Sequence, residues 1–158
     1  PGDYLMGEKL YKNSTSSSLI PPALRYMYQP SLDGSSADCW YSGLKNLDVH
    51  LSSGVANHFF YLLAEGSTLS SPTPSKTCQT TDTKTATGSG ELFGIGRIKA
   101  AQIWYRALTV YMVSSTNYSA ARQATLKAVT DLVALDSTNY SSSDIDAVAR
   151  AWTAVLVK

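Results

Sequence analysis

A short segment, Asp48 to Val55, sets a carboxylate two residues before a histidine and then opens an apolar helix. If the segment is extended, residues two apart point to the same side, so the Asp48 carboxylate can reach a ring nitrogen of His50. Such a bond decides which ring nitrogen keeps its proton, and it orients the imidazole. The spacing therefore predicts an aimed histidine without naming its target. An Asp-x-His pair without further context is more often structural than catalytic.

The chain has only two histidines, His50 and His58, and neither begins the His-Glu-x-x-His helix of a zinc peptidase. His58 lies beside Phe59 and Phe60, which is typical of a structural histidine. We therefore expect no zinc ligands in this chain. The pattern indicates half of an active site.

Composition narrows the classes of function. The 158 residues include 13 basic and 12 acidic side chains, and the formal net charge is +1. No basic stripe is present, which excludes nucleic acid as an expected partner. No apolar run approaches the ~20 residues that span a bilayer. We expect a soluble single domain covering 1–158, with 67–90 as a long surface loop.

Cys39 and Cys78 are the only cysteines, and both lie in polar surroundings typical of loops. Their spacing does not build a zinc site. A disulfide between them is the favoured interpretation if the protein is extracellular, and two unpaired thiols are the alternative. The start, Pro1, has neither an initiator methionine nor a signal peptide, so we expect that an upstream segment was removed or is not shown.

Turn residues punctuate the first fifty positions, and we expect short helices and loops there. Pro21 and Pro22 predict the start of a short helix that continues over 23–27. Apolar spacing predicts a longer helix from residue 53 that stops at Gly66.

A further helix is predicted from about Ile98 to Met112. Its inward face has i, i+3, i+4, i+7 spacing, formed by Ala101, Trp104, Tyr105 and Leu108. Two more helices follow the repeated Thr-Asn-Tyr-Ser segments at 116–119 and 138–141, with inward residues Leu126, Val129 and Leu132 in the first and Ile145, Val148 and Trp152 in the second. The fold class is therefore mainly α, with about five helices, little or no sheet and long irregular loops, packed around Phe60, Leu63, Trp104, Leu108, Leu132 and Trp152.

Several motifs, taken in order, carry a resemblance. They are Asp3 to Glu8, Leu24 to Met27, Asp48-Val49-His50 followed by Ser52 to Val55 and Asn57, Phe60 to Ala64, Gly94 to Arg97, Tyr105 to Leu108, and Ser115 to Ser119. In this order the chain resembles the C-terminal domain of thermolysin-like zinc metallopeptidases. The likeness excludes only the 67–90 loop, and it implies the orthogonal helical bundle of that domain.

The resemblance assigns roles to the Asp48 region. In such peptidases a zinc ion polarises the scissile carbonyl, and its ligands would lie before Pro1. The residue matching His50 donates a hydrogen bond to the oxyanion, and Asp48 would orient it and favour its protonated form. Some members carry the aspartate five residues before the histidine, where this chain has Lys45, so Asp48 is the better candidate.

The resemblance also implies substrate contacts and a calcium site. Arg25 would hydrogen-bond a substrate carbonyl, Leu24 would line an apolar pocket on the leaving-group side, and Asn46 would lie near the substrate backbone. Asp3 and Glu8 match two calcium ligands of the family. Leu5 replaces a third acid, so the calcium site would need residues from the upstream half.

Two functions follow. The first is the C-terminal half of a secreted, extracellular zinc endopeptidase, inactive by itself and partnered by its zinc-bearing half and a peptide substrate. The second is a stand-alone peptide- or protein-binding module or autolytic fragment without enzymatic activity, using the groove around Arg25 and His50.

Overall fold

The computed structural model describes residues 3–11, 22–68 and 73–158. Within them lie five α-helices: α1 (Val49–Ser52), α2 (Gly54–Glu65), α3 (Arg97–Arg106), α4 (Tyr118–Leu135) and α5 (Ser142–Ala154). A π-helical segment, Ala107–Tyr111, continues α3, and 3₁₀ turns cover Glu8–Tyr11, Pro30–Asp33 and Ser42–Asn46. The predicted mainly α-helical fold is confirmed.

Two short strands, β1 (Leu5–Met6) and β2 (Arg25–Tyr26), form an antiparallel pair. The predicted helix over 23–27 is therefore wrong, while its proposed first residue, Pro21, lies outside the described residues. The backbone N–H groups of Leu24 and Met27 donate across to Met6 and Tyr4 instead of along a helix. Burial of the Tyr26 ring, whose hydroxyl accepts from the amide of Ala23, favours this extended conformation.

The core is centred on α2 and α5, where the rings of Phe59 and Trp152 stack with centroids 3.7 Å apart. The Trp152 indole N–H donates to Thr125 Oγ1 of α4 at 2.8 Å, so the one polar atom of the ring is satisfied without water. Among the predicted core residues, Leu63 and Trp152 are buried, whereas Phe60, Trp104 and Leu132 pack against the core with part of their surface exposed.

The predicted inward face of α3 is wrong. The side chains that are buried belong to Ala100, Ile103 and Ala107, whereas Tyr105 is 69% exposed and Leu108 47% exposed. The buried face is rotated by about one residue, close to 100°. Apolar residues occur on both sides of this helix, so their spacing alone does not select one. Small alanines let α3 pack closely on α2, which larger side chains on that face would prevent.

The end of α2 is at Gly66, as predicted, and the chain turns there with φ +81°. A Cβ atom at this glycine would lie 2.3 Å from the carbonyl oxygen of Leu92. Only glycine therefore allows the chain to leave the helix beside that strand-like segment.

The described part of the 67–90 segment, 67–68 and 73–90, is irregular but fastened to the core. Cys78 forms a disulfide with Cys39, the favoured interpretation of the two cysteines. The amide of Ala86 donates to the buried carboxylate of Asp38 at 2.9 Å, and the Ser75 side chain is buried against His58. Residues 69–72 lie outside the described residues.

The residues after α5 also join the core. Val155 and Val157 are buried, and the backbone carbonyl of Val155 accepts from the amide of Trp40 at 2.8 Å. The carbonyl of Ala154 accepts from Cys78 at 2.7 Å, next to the disulfide. In the ranges that the structure describes, no helix is both long and apolar enough to cross a membrane.

Candidate active-site half

Asp48 and His50 meet at the start of α1. Nδ1 of His50 lies 2.7 Å from Oδ1 of Asp48, and the backbone N–H of His50 donates to the same oxygen at 2.9 Å. The spacing predicts an extended segment, but the structure shows the first turn of a helix, with Asp48 as the N-cap of α1. One carboxylate oxygen therefore both caps the helix and orients the ring.

The ionised state of Asp48 fits this geometry. The backbone hydrogen bond from His50 and then its ring hydrogen bond hold the pKa of Asp48 below its ordinary value, with a smaller contribution from the charge of Arg25. A carboxylate can only accept, so Nδ1 donates and Nε2 is directed away from Asp48. The imidazole is 78% exposed, which leaves Nε2 open to a ligand.

Leu24 and Arg25 lie on one wall of a shallow pocket of about 350 Å³. Its other walls come from Leu32, Asp33 and Leu51, the last being the neighbour of His50. Gly7 packs against Leu24, since a Cβ at Gly7 would lie 2.9 Å from Leu24 Cβ. The pocket joins the β2 segment to α1, which carries the histidine.

Asp33 also lines this pocket, although its sequence pattern predicts no functional role. Its Oδ2 lies 3.5 Å from Nη1 of Arg25, and the two side chains are 10% and 20% exposed. Burial alone would raise the pKa of Asp33, but hydrogen bonds from Ser36 and Ser35 together with the charge of Arg25 hold it below its ordinary value. The sequence shows Asp33 only as part of an Asp-Gly turn, which is a signal of backbone shape.

Two larger cavities, of about 770 and 620 Å³, open between Trp40 to Ser42 and the start of α4. They contain neither Arg25 nor His50. We place the candidate site at the smaller pocket because Arg25, Leu24 and Leu51 line it, and Leu51 directly follows the oriented histidine in α1.

Asn46 is the last residue of a 3₁₀ turn and is exposed, four residues before His50. It does not line the pocket that contains Leu24 and Arg25. The structure therefore groups Leu24 and Arg25 around one cavity, to which α1 contributes Leu51, the residue after His50, whereas Asn46 is not among the lining residues.

Asp3 and Glu8 lie on either side of β1. Oδ1 of Asp3 accepts from the amide of Leu5 at 3.1 Å, which closes a local turn. No group of three or more His, Cys, Asp or Glu side chains able to hold a metal ion occurs within residues 3–11, 22–68 and 73–158. A calcium shell takes six to eight oxygen ligands, so two carboxylates could supply at most a portion of one.

Chemically, this half-site offers two hydrogen-bond donors and an apolar wall. Nε2 of His50 and the guanidinium of Arg25 can each donate to an oxygen, and both can do so to an oxygen that carries negative charge. Leu24 can bury part of an apolar side chain beside them.

The family model described as "Thermolysin metallopeptidase, alpha-helical domain" matches residues 1–157. The chain belongs to this family. A "Transglutaminase-activating metalloprotease" of Streptomyces mobaraensis is 45% identical over 158 residues, which are 99% of this chain and 19% of that protein. "Bacillolysin" of Brevibacillus brevis is 34% identical over 99% of this chain and 25% of its own length.

A "Thermolysin" of Alicyclobacillus acidocaldarius is 29% identical over 97% of this chain and 24% of its own length. The thermolysin-type helical segment thus spans about a fifth to a quarter of the relatives it matches. The resemblance to thermolysin-like peptidases inferred from the motifs is confirmed.

Proposed function

We propose that this chain is the C-terminal half of a secreted zinc metalloendopeptidase and acts in peptide-bond hydrolysis together with its zinc-bearing half. The observation that carries the proposal is the pairing of His50 with Asp48 at 2.7 Å, with an exposed ring one residue before Leu51, which lines the pocket of Leu24 and Arg25. Membership of the thermolysin family supports it.

His50 is the oxyanion donor in this proposal. Its Nδ1–H donates a hydrogen bond to Asp48, so the ring presents Nε2 to the carbonyl oxygen of the scissile peptide. Asp48 holds the ring in the orientation from which Nε2 can donate to an oxyanion. A zinc ion held by residues outside this chain would supply Lewis-acid activation of that carbonyl and of water.

Arg25 and Leu24 bind the substrate. The guanidinium donates to a backbone carbonyl, which fixes the register of the peptide next to His50. Leu24 and the pocket wall receive a large apolar side chain on the leaving-group side, because such a side chain gains most from burial. Asn46 contacts the substrate backbone at the margin of the site.

Asp3 and Glu8 would complete a structural calcium site only with oxygen ligands from the upstream half. The exposed Asp3 and the incomplete shell support this division. We further propose that residues 1–158 form a single domain that is inactive until it is joined to the zinc-bearing half. The disulfide between Cys39 and Cys78 supports an extracellular location.

Measurements of zinc content and peptidase activity test whether zinc binding and turnover require the zinc-bearing half. Both quantities are measured on the 158-residue polypeptide and on the same sequence joined to its zinc-bearing half. We expect stoichiometric zinc and turnover only in the joined protein. Tight zinc binding with turnover by the 158 residues alone would contradict the proposal, and peptide binding without turnover in the joined protein would favour a binding module.

Replacement of His50 by alanine in the joined enzyme tests the oxyanion role. We expect kcat to fall by about 10²- to 10³-fold, the usual loss when one oxyanion donor is removed. Lys45→Ala, an exposed change five residues away, is the matched control and should leave kcat near that of the unaltered enzyme. Unchanged turnover in His50→Ala refutes the assigned role.

A further inference from the structure

Among the residues that the structure describes, Arg25 is held through one nitrogen of its guanidinium. Within the described residues, its hydrogen bonds both use Nη1: one goes to the carbonyl oxygen of Leu24 at 2.7 Å and the other to Oδ2 of Asp33 at 3.5 Å. A guanidinium carries five N–H donors in a fixed plane. Anchoring through Nη1 therefore sets the plane of the group and leaves Nε and Nη2 to meet a ligand in the pocket.

Asp33 is itself fixed before any ligand arrives. Its Oδ1 accepts from the amides of Ser35 and Ser36 at 2.8 and 2.7 Å, and its Oδ2 accepts from the Ser36 hydroxyl at 2.5 Å. The side chain is only 10% exposed. These bonds immobilise the carboxylate, so no further ordering is required when it meets Arg25.

The turn that carries Asp33 is in turn anchored to the helix that follows His50. The buried carboxylate of Asp38 accepts from the amide and hydroxyl of Ser31 at 2.7 and 2.8 Å, within the 3₁₀ turn Pro30–Asp33. The backbone carbonyl of Asp38 lies 2.9 Å from Nδ1 of His58 in α2. A continuous series of hydrogen bonds thus connects α2 to the turn at Asp33.

We propose that Asp33 is the positioning residue of Arg25, fixing its guanidinium plane against the pocket so that substrate meets it in register with His50. This inference rests on the proposed substrate contact of Arg25 and goes beyond it, since it assigns to Asp33 a role that acts through Arg25. Its position on the pocket wall and its ion pair with Arg25 carry the assignment.

The test uses Asp33→Asn in the full zinc-bearing enzyme. The amide oxygen can still accept from the amides of Ser35 and Ser36, so the turn keeps its shape, whereas the NH₂ group faces Arg25 and cannot accept from it. We expect kcat/KM for a peptide substrate to fall about tenfold, mainly through KM because Arg25 binds the substrate backbone. The thermal midpoint should stay close to that of the unaltered enzyme.

Asp82→Asn is the matched control. Asp82 also closes a loop, accepting from the amides of Gln79 and Thr87 and from the Thr87 hydroxyl, and it lies outside the pocket of Arg25. It should leave kcat/KM unchanged. A general effect of removing a turn carboxylate would instead lower both variants alike, and that result overturns the inference.

A double-mutant cycle separates positioning from a structural role. In an Arg25→Met background, Asp33→Asn should cause no further loss beyond about twofold, because Asp33 acts through Arg25. Losses that multiply in the double variant overturn the proposal. If Asp33→Asn disturbs folding, Ser36→Ala, which releases only Oδ2, should give a two- to fourfold loss that also disappears without Arg25.

The cycle also distinguishes the positioning role of Asp33 from the proposed substrate contact of Arg25. A loss in Arg25→Met with none in Asp33→Asn and Ser36→Ala overturns the role of Asp33 alone. No loss in Arg25→Met overturns the assigned substrate contact and the positioning role together.

Discussion

At the scale of single residues, one oxygen of Asp48 has two tasks. It accepts the backbone N–H of His50 as a helix cap and the ring N–H as an orienting partner. The two tasks can be separated by substitution, because asparagine is as good an N-cap as aspartate but carries no charge.

Asp48→Asn should keep the stability of the chain and lower the activity of the full enzyme. A neutral hydrogen bond orients the ring less firmly than a charge-assisted one, so we expect kcat to fall by about fivefold. Equilibrium unfolding in urea and steady-state kinetics measure the two effects separately.

Asp48→Ala provides the contrast. It removes the cap as well, so the free energy of unfolding should fall in addition to the loss of activity. Full activity of both Asp48→Asn and Asp48→Ala would show that the carboxylate serves only to cap the helix.

The sequence predicted the contact between Asp48 and His50 but not its cause. The two-residue spacing was interpreted as an extended segment, and the structure shows a capped helical turn. Both conformations bring the groups together, so the residue pair was predictable and its backbone was not. Asp33 was not predictable, because its contact with Arg25 depends on a 3₁₀ turn between them that no periodic pattern announces.

At the scale of elements, periodicity located the long helices and failed on orientation where both faces are apolar. α2 and α5 present one clear inward side, with Phe59 and Trp152 fully buried. On α3 and its π-helical continuation, Ala101 and Leu108 are as apolar as the inward residues Ala100 and Ile103, and packing against the rest of the core distinguishes them. The β1–β2 pair was missed because two-residue strands carry no alternation.

The junction between α2 and its two neighbouring loops contains the buried histidine. The ring of His58 lies 2.9 Å from the carbonyl of Asp38 and 2.9 Å from the hydroxyl of Ser75, which also lies 2.7 Å from the carbonyl of Tyr28. Burial lowers the pKa of His58, outweighing the opposing effect of Asp38. Below the ordinary pKa of histidine, His58 is therefore protonated more readily in the unfolded state than in the folded state.

The free energy of unfolding of the 158-residue chain should depend on pH through His58. Stability is complete above the unfolded-state pKa of about 6.5 and falls by up to about 1.4 kcal/mol per pH unit as the pH drops from there towards the lowered pKa of the folded state. Urea unfolding at a series of pH values from 8 to 5 measures this slope.

The chain has two histidines, so a variant of the exposed His50 serves as the control for a variant of the buried His58. His58→Gln should reduce the slope just below pH 6.5, after its folding at pH 8 has been checked by circular dichroism. His50→Ala, which changes an exposed ring, should retain the slope. An equal slope in His58→Gln would assign the dependence to other groups.

At the scale of the whole molecule, the disulfide connects a core residue to the irregular segment. Cys39 is fully buried, and its bond to Cys78, at a sequence separation of 39, closes a loop that includes α1, α2 and His50. Residues 73–90 lack helix and strand, so their placement depends on this bond and on a few hydrogen bonds to the core.

Removing the disulfide by Cys39→Ala with Cys78→Ala should lower the free energy of unfolding by about 4 kcal/mol, the chain-entropy estimate for a loop of this length. Urea unfolding of the double variant and of the unaltered chain, each with and without a thiol reductant, measures it. Reductant should affect only the unaltered chain. Equal stability of both proteins without reductant would show that the bond stabilises neither loop nor core.

The packing of residues 154–157 has a consequence for biosynthesis. Carbonyl groups of this segment accept from Trp40 and Cys78, and Val155 and Val157 fill part of the core. Trp40 and Cys78 are synthesised well before residues 154–157, so these hydrogen bonds can form only after that segment has left the ribosome. We therefore expect the half-site around His50 to take its final shape only after synthesis of α5 is complete, with pairing of Cys39 and Cys78 among the last steps.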